Sequence, residues 1–221
     1  MGIISIENTD RLYWLGRYTE RVYSTIGGYA KNYDSMLDMD FDSYEKFCDD
    51  IDIPNIYVDK EDFINRYCYD EADPNSIYSN LMRAYDNAIV LREEIGSEPL
   101  AYIQLAVYAM NKAKISDAPM LELQKVVDNI MAFWGIADDL IESENVRNII
   151  KVGKRVERID IYARVGAKQK DLMREVKRLT GRIKDTILDY DERKLSEIAE
   201  LVEADNIDYY KVVYDVETFI N

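Results

Sequence analysis

The sequence predicts an all-α protein: a multi-helix bundle that forms a single domain over residues 1–221. Three observations favour this fold class. Apolar residues recur at helical spacing, as at Leu12, Leu15, Val22 and Ile26, whereas no apolar–polar alternation typical of a strand flanks a turn signal. Only 4 prolines are present. No stretch rich in glycine, serine or proline divides the chain into halves.

The periodicity places the helices in order along the chain. The first long helix follows the stripe just described, and a later one follows the apolar stripe Ile149, Val152, Val156 and Ile159. The chain holds 18 tyrosines and 5 phenylalanines, and tyrosine suits helix faces that are half buried. We expect helices at residues 9–36, 42–52, 59–70, 75–95, 98–114, 118–143, 144–166, 168–189, 191–204 and 206–219.

Proline positions support several of these helix starts. Pro74, Pro99 and Pro119 each stand near the beginning of a predicted helix, where the missing N–H of proline costs little. Three polar residues nearby are candidate N-caps. They are Asp73, Ser97 and Asp117.

The composition excludes several classes of function. There is no histidine, which removes His-based catalytic triads and the commonest zinc sites. The 2 cysteines, Cys48 and Cys68, are expected to be small buried hydrophobes rather than a disulfide framework. Asp38, Asp40 and Asp42 alternate like calcium ligands but lack the glycine and glutamate of an EF-hand. We therefore predict neither a metal nor a cofactor.

Charge and hydropathy bear on partners and location. The formal net charge of −15 disfavours nucleic-acid binding, since phosphates would be repelled on average. No apolar run reaches the roughly 18–20 residues that a membrane helix needs. No basic leader precedes an apolar segment at the N-terminus. The sequence therefore predicts a cytoplasmic protein with no membrane partner.

The charge is distributed unevenly along the chain. Residues 34–73 hold 14 acidic and 3 basic residues, whereas residues 147–184 hold 13 basic and 4 acidic residues. Each block is compatible with an ordinary solvated face. Alternatively the two blocks attract each other, within one chain or in a homo-oligomer, or the basic block receives an anionic ligand or partner.

One short pattern of charged residues is written twice, at the same spacings. Both copies consist of a glycine, a base, two spacers, a glutamate and an arginine. A glycine inside a helix costs about 0.5–1 kcal/mol relative to alanine, so its recurrence predicts a place of close approach between helices. The copies are Gly16, Arg17, Glu20 and Arg21, and Gly153, Lys154, Glu157 and Arg158.

The repeat has three interpretations. The charged residues could form exposed ion pairs within each helix, worth about 0.3–0.5 kcal/mol each. The two helices could instead be related by internal pseudo-symmetry, cross at their glycines and exchange Glu–Arg bonds. A third interpretation is a polar cleft between the helices that binds a carboxylate, a phosphate or a zwitterion. On a helical wheel Glu20 falls roughly 120° from the centre of the apolar stripe.

At these residues the chain resembles the bacterial alpha-E domain, a predicted all-helical family named for a recurrent Glu-Arg motif. The stretch "LYWLGRYTER" resembles the opening signature of that family, and "VGKRVERIDIYAR" resembles a later one. A third stretch, "DPNSIYSNLMRAYDNAIVLREEIGSE", resembles the pattern between them. The matches come in the order of the family and span most of the chain. The chain departs from the family pattern at Tyr23, Gly27, Tyr85 and Ile89.

The resemblance implies a role beside other enzymes. Alpha-E proteins are typically encoded next to, or fused to, ATP-grasp-type ligases, and transglutaminase-like proteins and proteasome-like peptidases are other usual neighbours. The implied function is an accessory binding module in peptide or isopeptide formation. Its expected binding residues, two of them in the third matching stretch, are Arg17, Glu20, Arg21, Asn87, Arg92, Lys154, Glu157 and Arg158.

Two other classes of function stay open. The protein could be an enzyme of acyl or amide transfer in which Glu20 or Glu157 is the general base. No Walker-type glycine loop or nucleophile elbow supports this, and no catalytic residue is identified. It could also be a purely structural oligomerisation domain that uses the acidic and basic blocks as complementary faces.

Overall fold

In the computed structural model, the described part of the chain is residues 4–37 and 43–220, with side chains described over 4–30 and 44–220. These residues form eleven helices and no strand, so the all-α prediction is confirmed. An isolated bridge joins Tyr190 to Ile220. The helices are α1 (Ile6–Leu37), α2 (Ser43–Asp50), α3 (Lys60–Tyr69), α4 (Ile77–Val90), α5 (Arg92–Ile95), α6 (Ser97–Ala113), α7 (Pro119–Leu140), α8 (Glu144–Arg164), α9 (Gln169–Ile183), α10 (Glu192–Glu203) and α11 (Tyr209–Thr218).

Two predicted helices differ from the observed ones. The segment predicted as 75–95 breaks at Leu91, whose backbone has φ −85° and ψ 13° and whose side chain is fully buried. The segment predicted as 168–189 ends at Ile183 because the Thr186 hydroxyl donates to the Ile183 carbonyl at 2.7 Å. A local hydroxyl–carbonyl bond of this kind competes with continuation of the helix.

The predicted N-caps were wrong, although side-chain caps are present elsewhere. α4 is capped by Ser76, whose side chain accepts from the Ser79 N–H, rather than by Asp73. The residues before α6 and α7 are Gly96 and Ala118, and neither makes a side-chain cap. The sequence placed polar residues near these starts correctly but could not say which one adopts the extended backbone of an N-cap.

The chain groups into two compact units. The first contains residues 1–20 and 142–221, and therefore the start of α1 together with α8, α9, α10 and α11. Within it α8 packs on α9 and α11, and α10 packs on α9 and α11. Its fully buried apolar side chains come from several helices. They include Leu12, Leu15, Ile149, Val152, Val156, Ile159, Leu172, Leu179, Ile198 and Val212.

The second unit contains residues 21–141. Here α6 packs along α7, and α4 packs on α6 and α3. Its core includes an aromatic cluster around Phe63, which stacks on Tyr67 with ring centroids 5.1 Å apart. Cys48 and Cys68 are fully buried in the same core, as expected for small hydrophobes. Burial raises the pKa of both thiols to about 12, so they are inert near neutral pH.

Three sequence predictions concern the chain as a whole. The assignment of residues 1–221 to a single domain stays a prediction. Over the described ranges, no helix is both long and apolar enough to cross a bilayer. Asp38, Asp40 and Asp42 lie outside the described residues. Within those residues no group of three or more cysteine and acidic side chains is arranged to hold a metal ion.

Candidate functional site

The two repeated segments meet within the first unit, at a crossing of α1 and α8 built on their glycines. A Cβ added to Gly16 would collide with the Ile150 carbonyl oxygen, and one added to Gly153 would collide with the Tyr13 carbonyl oxygen. Backbone therefore touches backbone at both positions, which only glycine allows. The arrangement is reciprocal, because each helix presents its glycine to the main chain of the other.

One ion pair crosses from α1 to α8 at Arg17. Its Nε donates to Glu157 Oε2 at 2.7 Å, and the two side chains are only 10% and 2% exposed. The guanidinium carbon lies 5.0 Å from the centre of the Trp14 ring and 6.0 Å from that of Tyr13. Burial opposes the charge of Arg17, but Glu157 more than offsets it, so the pKa of Arg17 rises above its ordinary value.

The second ion pair crosses in the opposite direction. Arg158 on α8 donates from Nε and Nη2 to the two oxygens of Glu20, at 2.6 and 2.8 Å. Such bidentate, charge-assisted pairs are strong and geometrically specific. Glu20 is fully buried and the Arg158 side chain is 15% exposed. The predicted exchange of Glu–Arg bonds at a glycine crossing is confirmed, and the interpretation as exposed intrahelical pairs was wrong.

Arg17 and the aromatic and charged residues around it form what we call the sealed cluster. Its members are Tyr13, Trp14, Arg17, Glu157, Asp160 and Arg164. Arg164 links this cluster to α11, since it donates to Asp160 at 3.0 Å and to Glu217 at 2.7 Å. Burial, reinforced by the charge of Glu157, raises the pKa of Asp160 to about 6. Burial also raises the pKa of Tyr13 to about 12.

A group of basic residues lies around Glu20 and a second buried acid, Glu175 of α9. Glu175 is fully buried and accepts from Arg155 at 2.5 Å, Arg174 at 3.1 Å and Arg178 at 3.0 Å. Although burial alone would raise the pKa of Glu175, the arginines hold it below its ordinary value. We call this set the basic cluster: Lys154, Arg155, Arg158, Arg174 and Arg178 with Glu20 and Glu175.

Lys154 is the lysine of the basic cluster, and it is half-buried. Burial, together with the positive charges of Arg158 and Arg155, lowers its pKa to about 7 against the opposing effect of Glu20. Its position in the repeat corresponds to that of Arg17, yet the two bases behave in opposite ways. An arginine stays charged under all ordinary conditions, whereas burial readily lowers the pKa of a lysine.

The predicted binding residues divide between the two units. Arg17, Glu20, Lys154, Glu157 and Arg158 come together at the crossing in the first unit. The other three lie in the second unit. There Arg21 is within electrostatic reach of Tyr67, Asn87 is buried on α4, and exposed Arg92 bonds Ser97 at 3.3 Å. Whether any of these residues binds a ligand stays a prediction.

Sequence reasoning missed Glu175, Arg155 and Asp160 as parts of the site. A signal for Glu175 was present, because it falls in the apolar stripe Leu172, Val176 and Leu179 at i, i+3, i+4 and i+7 spacing. An acid on the buried face of a helix is expected to need basic partners. The wheel position assigned to Glu20 also concealed its burial, since α8 covers that side of α1.

A comparison with known families gives a match over nearly the whole chain. A family model described as a predicted alpha-helical domain with a conserved ER motif matches residues 8–206. That range contains both glycine-centred segments and all eight predicted binding residues. Neither a curated protein nor a solved structure matches the chain.

Proposed function

The chain belongs to the Alpha-E family, and from this premise we propose that it is a non-catalytic binding module for an ATP-grasp-type amide-forming ligase. Such a partner makes peptide or isopeptide bonds, and the module would present one of its substrates. The group bound is an anion, preferably the carboxylate of a peptide. The basic cluster is the place where this chain binds it.

The observation that carries the proposal is the charge balance of the basic cluster. It has five basic side chains for three carboxylates, since Asp171 accepts from Arg174 at 2.9 Å in addition to Glu20 and Glu175. Arginines suit the recognition of carboxylate and phosphate because their donors form a rigid fork. Arg174 and Arg178 have side chains that are each 48% exposed, so they can reach an incoming anion without unfolding the crossing.

The motif residues have separate roles in this proposal. The Arg17–Glu157 pair has a structural role. Both side chains are nearly fully buried, so a ligand could bind either of them only by breaking the pair. Glu20 and Glu175 orient the arginines that face the ligand. In this proposal Lys154 and Arg158 lie between the Arg17–Glu157 pair and the bound anion.

Binding to defined probes tests the proposal. The probes are a di-glutamate peptide and inorganic phosphate, titrated by calorimetry into the purified chain at low and high salt. The double variant Arg174→Met/Arg178→Met is expected to lose about tenfold or more in affinity, since each charge-assisted bond contributes about 1.5–3 kcal/mol. The fold should survive because Arg155, the most buried of the three arginines, still pairs with Glu175, and urea unfolding of the variant checks this.

A matched control separates a site from general charge attraction. The double variant Lys170→Met/Arg193→Met removes the same charge from exposed positions in the same unit. It should bind the probes as the unmodified chain does. An equal loss in both double variants, or no binding by the unmodified chain, contradicts the proposal.

The ligase partnership needs its own test. Co-expression with an ATP-grasp-type ligase from the same genome should give a complex that elutes as one species in size-exclusion chromatography. Elution of the two proteins as separate species at micromolar concentration contradicts the partnership but leaves anion binding to the calorimetric result.

A further inference from the structure

The outer side of α9 carries a row of lysines. Lys170, Lys177 and Lys184 are seven residues apart, so each is turned only about 20° from the one before it and the row is roughly 21 Å long. All three are exposed, whereas Leu172 and Leu179 on the opposite side of the helix are fully buried. Lys184 is the C-cap and keeps helical φ and ψ angles of −63° and −22°. We call this row the lysine face.

The lysine face is separate from the arginines that bind Glu175. On the helical wheel Glu175 is about 160° from Lys177. Arg174 and Arg178 lie between these two directions and donate to Glu175 at 3.1 and 3.0 Å. In the described part of the chain no carboxylate forms an ion pair with any lysine of the row. The anion site proposed above therefore does not use these three charges.

The second unit carries a surface of the opposite charge. Of its residues 44–73, 10 are acidic and 3 are basic. Phe47 of α2 contacts Phe63 and Tyr67 of α3, with ring centroids 5.6 and 5.2 Å apart, so the two helices pack through their aromatic sides and turn their charged residues outward. We call the exposed acids of this segment the acidic surface. They are Glu45, Asp49, Asp52, Asp59, Glu61 and Glu71.

The ion pairs within this segment go to other acids. Lys46 pairs with Asp50, and Arg66 pairs with Asp62 and Asp70. Two of the three bases are therefore engaged by carboxylates that do not belong to the acidic surface. Lys60 is the third base, against six exposed carboxylates. The acidic surface thus keeps a large excess of negative charge.

Each of the two charged surfaces also includes exposed apolar side chains. Met173, next to the lysine face, is 38% exposed. Ile56 and Val58, in the loop between Asp52 and Asp59, are 45% and 85% exposed. Apolar groups that leave water on association add to the attraction between opposite charges. The two surfaces are therefore complementary in charge, and each offers an apolar contact.

We propose that the lysine face of one copy of this chain binds the acidic surface of a second copy. A patch that is basic throughout cannot pair with itself, so the contact joins different patches of the two copies. The chain supplies both patches, whereas its net charge of −15 disfavours nucleic acid as the partner. The inference goes beyond the proposed binding function and does not rest on it, because association needs no ligand and the lysines point away from Glu175.

The salt dependence of self-association is the first test. Exposed ion pairs are individually weak, so the association is expected to be micromolar or weaker. Sedimentation velocity of the full chain measures it at about 0.1 M and about 1 M NaCl, between which the screening length falls from about 10 Å to about 3 Å. The average mass should rise with chain concentration at the lower salt and equal that of the monomer at the higher salt.

Charge reversal tests whether these two surfaces form the contact. Lys170→Glu/Lys177→Glu reverses the lysine face, and Asp49→Lys/Glu61→Lys reverses the acidic surface. Each double variant alone should associate at least about tenfold more weakly than the unmodified chain, because like charges then meet. An equimolar mixture of the two should recover association, since each variant then meets the opposite charge on the other. Urea unfolding of each variant checks that it is folded.

Lys112→Glu/Lys114→Glu is the matched control for reversal of the lysine face. It changes the net charge by the same amount at exposed positions near the end of α6, and it should associate as the unmodified chain does. A chain that stays monomeric at 0.1 M NaCl overturns the inference. So does association that survives reversal of the lysine face, an equal loss in the control, or a mixture of folded variants that associates no better than its components. Calorimetry with di-glutamate and phosphate is read separately, so each proposal can fail alone.

Discussion

The sealed cluster and the basic cluster use the same backbone geometry to opposite effect. In each, a glycine brings α1 and α8 into main-chain contact, and a glutamate of one helix bonds an arginine of the other. In the sealed cluster the residue after the glycine is Arg17, which lies under two aromatic rings. In the basic cluster it is Lys154, which lies among arginines. The two clusters therefore share the helix crossing but differ in the charges that surround it.

The difference has a physical consequence for each cluster. A pair as buried as Arg17–Glu157 is expensive to break, so it suits a structural role. In the basic cluster, cations outnumber carboxylates and several side chains reach solvent. We therefore assign a stabilising role to the sealed cluster and ligand chemistry to the basic cluster.

The largest decrease in the free energy of unfolding is expected when one partner of the buried Arg17–Glu157 pair is removed. Arg17→Met leaves Glu157 buried without its main cation and should cost about 3–5 kcal/mol in the free energy of unfolding. Arg158→Met should cost less, about 2 kcal/mol, because Lys154 lies near Glu20 and can take up part of the charge. Urea unfolding in a Trp134→Phe background, where Trp14 is the remaining tryptophan, measures both.

The exposed Arg11–Glu7 pair on the same helix is the control for this comparison. Its members are 34% and 74% exposed, so Arg11→Met should cost no more than about 0.5 kcal/mol. Equal losses for Arg17→Met and Arg158→Met would remove the distinction between the sealed cluster and the basic cluster.

The next largest loss of stability is expected when a methyl group is added to either glycine of the crossing. Gly16→Ala and Gly153→Ala should each destabilise the protein by about 1–3 kcal/mol, since the new Cβ meets backbone rather than a movable side chain. Gly181→Ala in α9 of the same unit has open space and should stabilise by up to about 1 kcal/mol. If all three substitutions stabilised the chain, close contact at the glycines would be excluded.

The last predicted effect is on pH dependence, and the two clusters should differ in sign. The pKa of Asp160 rises from 3.8 to about 6 on folding, so the folded state holds the extra proton and stability falls between those pH values. The pKa of Lys154 falls from 10.5 to about 7, so the unfolded state holds the extra proton and stability rises across that window.

Two variants isolate these contributions. Asp160→Asn should remove the fall in the free energy of unfolding between about pH 4 and 6, and Lys154→Met should remove the rise between about pH 7 and 10. Both are read from urea titrations at a series of pH values. A profile that neither variant alters would show that these two groups do not titrate differently in the folded chain.

Much of the fold could be predicted from the sequence because helical periodicity survives in nearly every element. The reciprocal crossing could also be predicted, since a glycine inside a helix has a cost that only a close contact explains. The break at Leu91 could not be predicted, because it depends on how that side chain is buried. The end of α9 depends on the Thr186 hydroxyl bond, which sequence spacing does not reveal.

The candidate site was less predictable than the fold. The motif identified Glu20 and Arg158, but the partners of Glu175 come from α8 and α9 together, and only packing reveals them. The pKa of Lys154 likewise depends on burial and on neighbours from three helices. Arg21 matches Arg158 in the repeat, yet it lies in the other unit, so spacing alone does not assign a partner.

A double-mutant cycle on Glu20 and Arg158 measures whether these two residues are coupled across the crossing. Glu20→Gln, Arg158→Met and the double variant are unfolded in urea in the Trp134→Phe background. We expect a coupling energy of about 2 kcal/mol or more, because the bidentate pair spans the crossing. Effects that add to within about 0.5 kcal/mol would mean that the two residues are not partners, and would contradict the account.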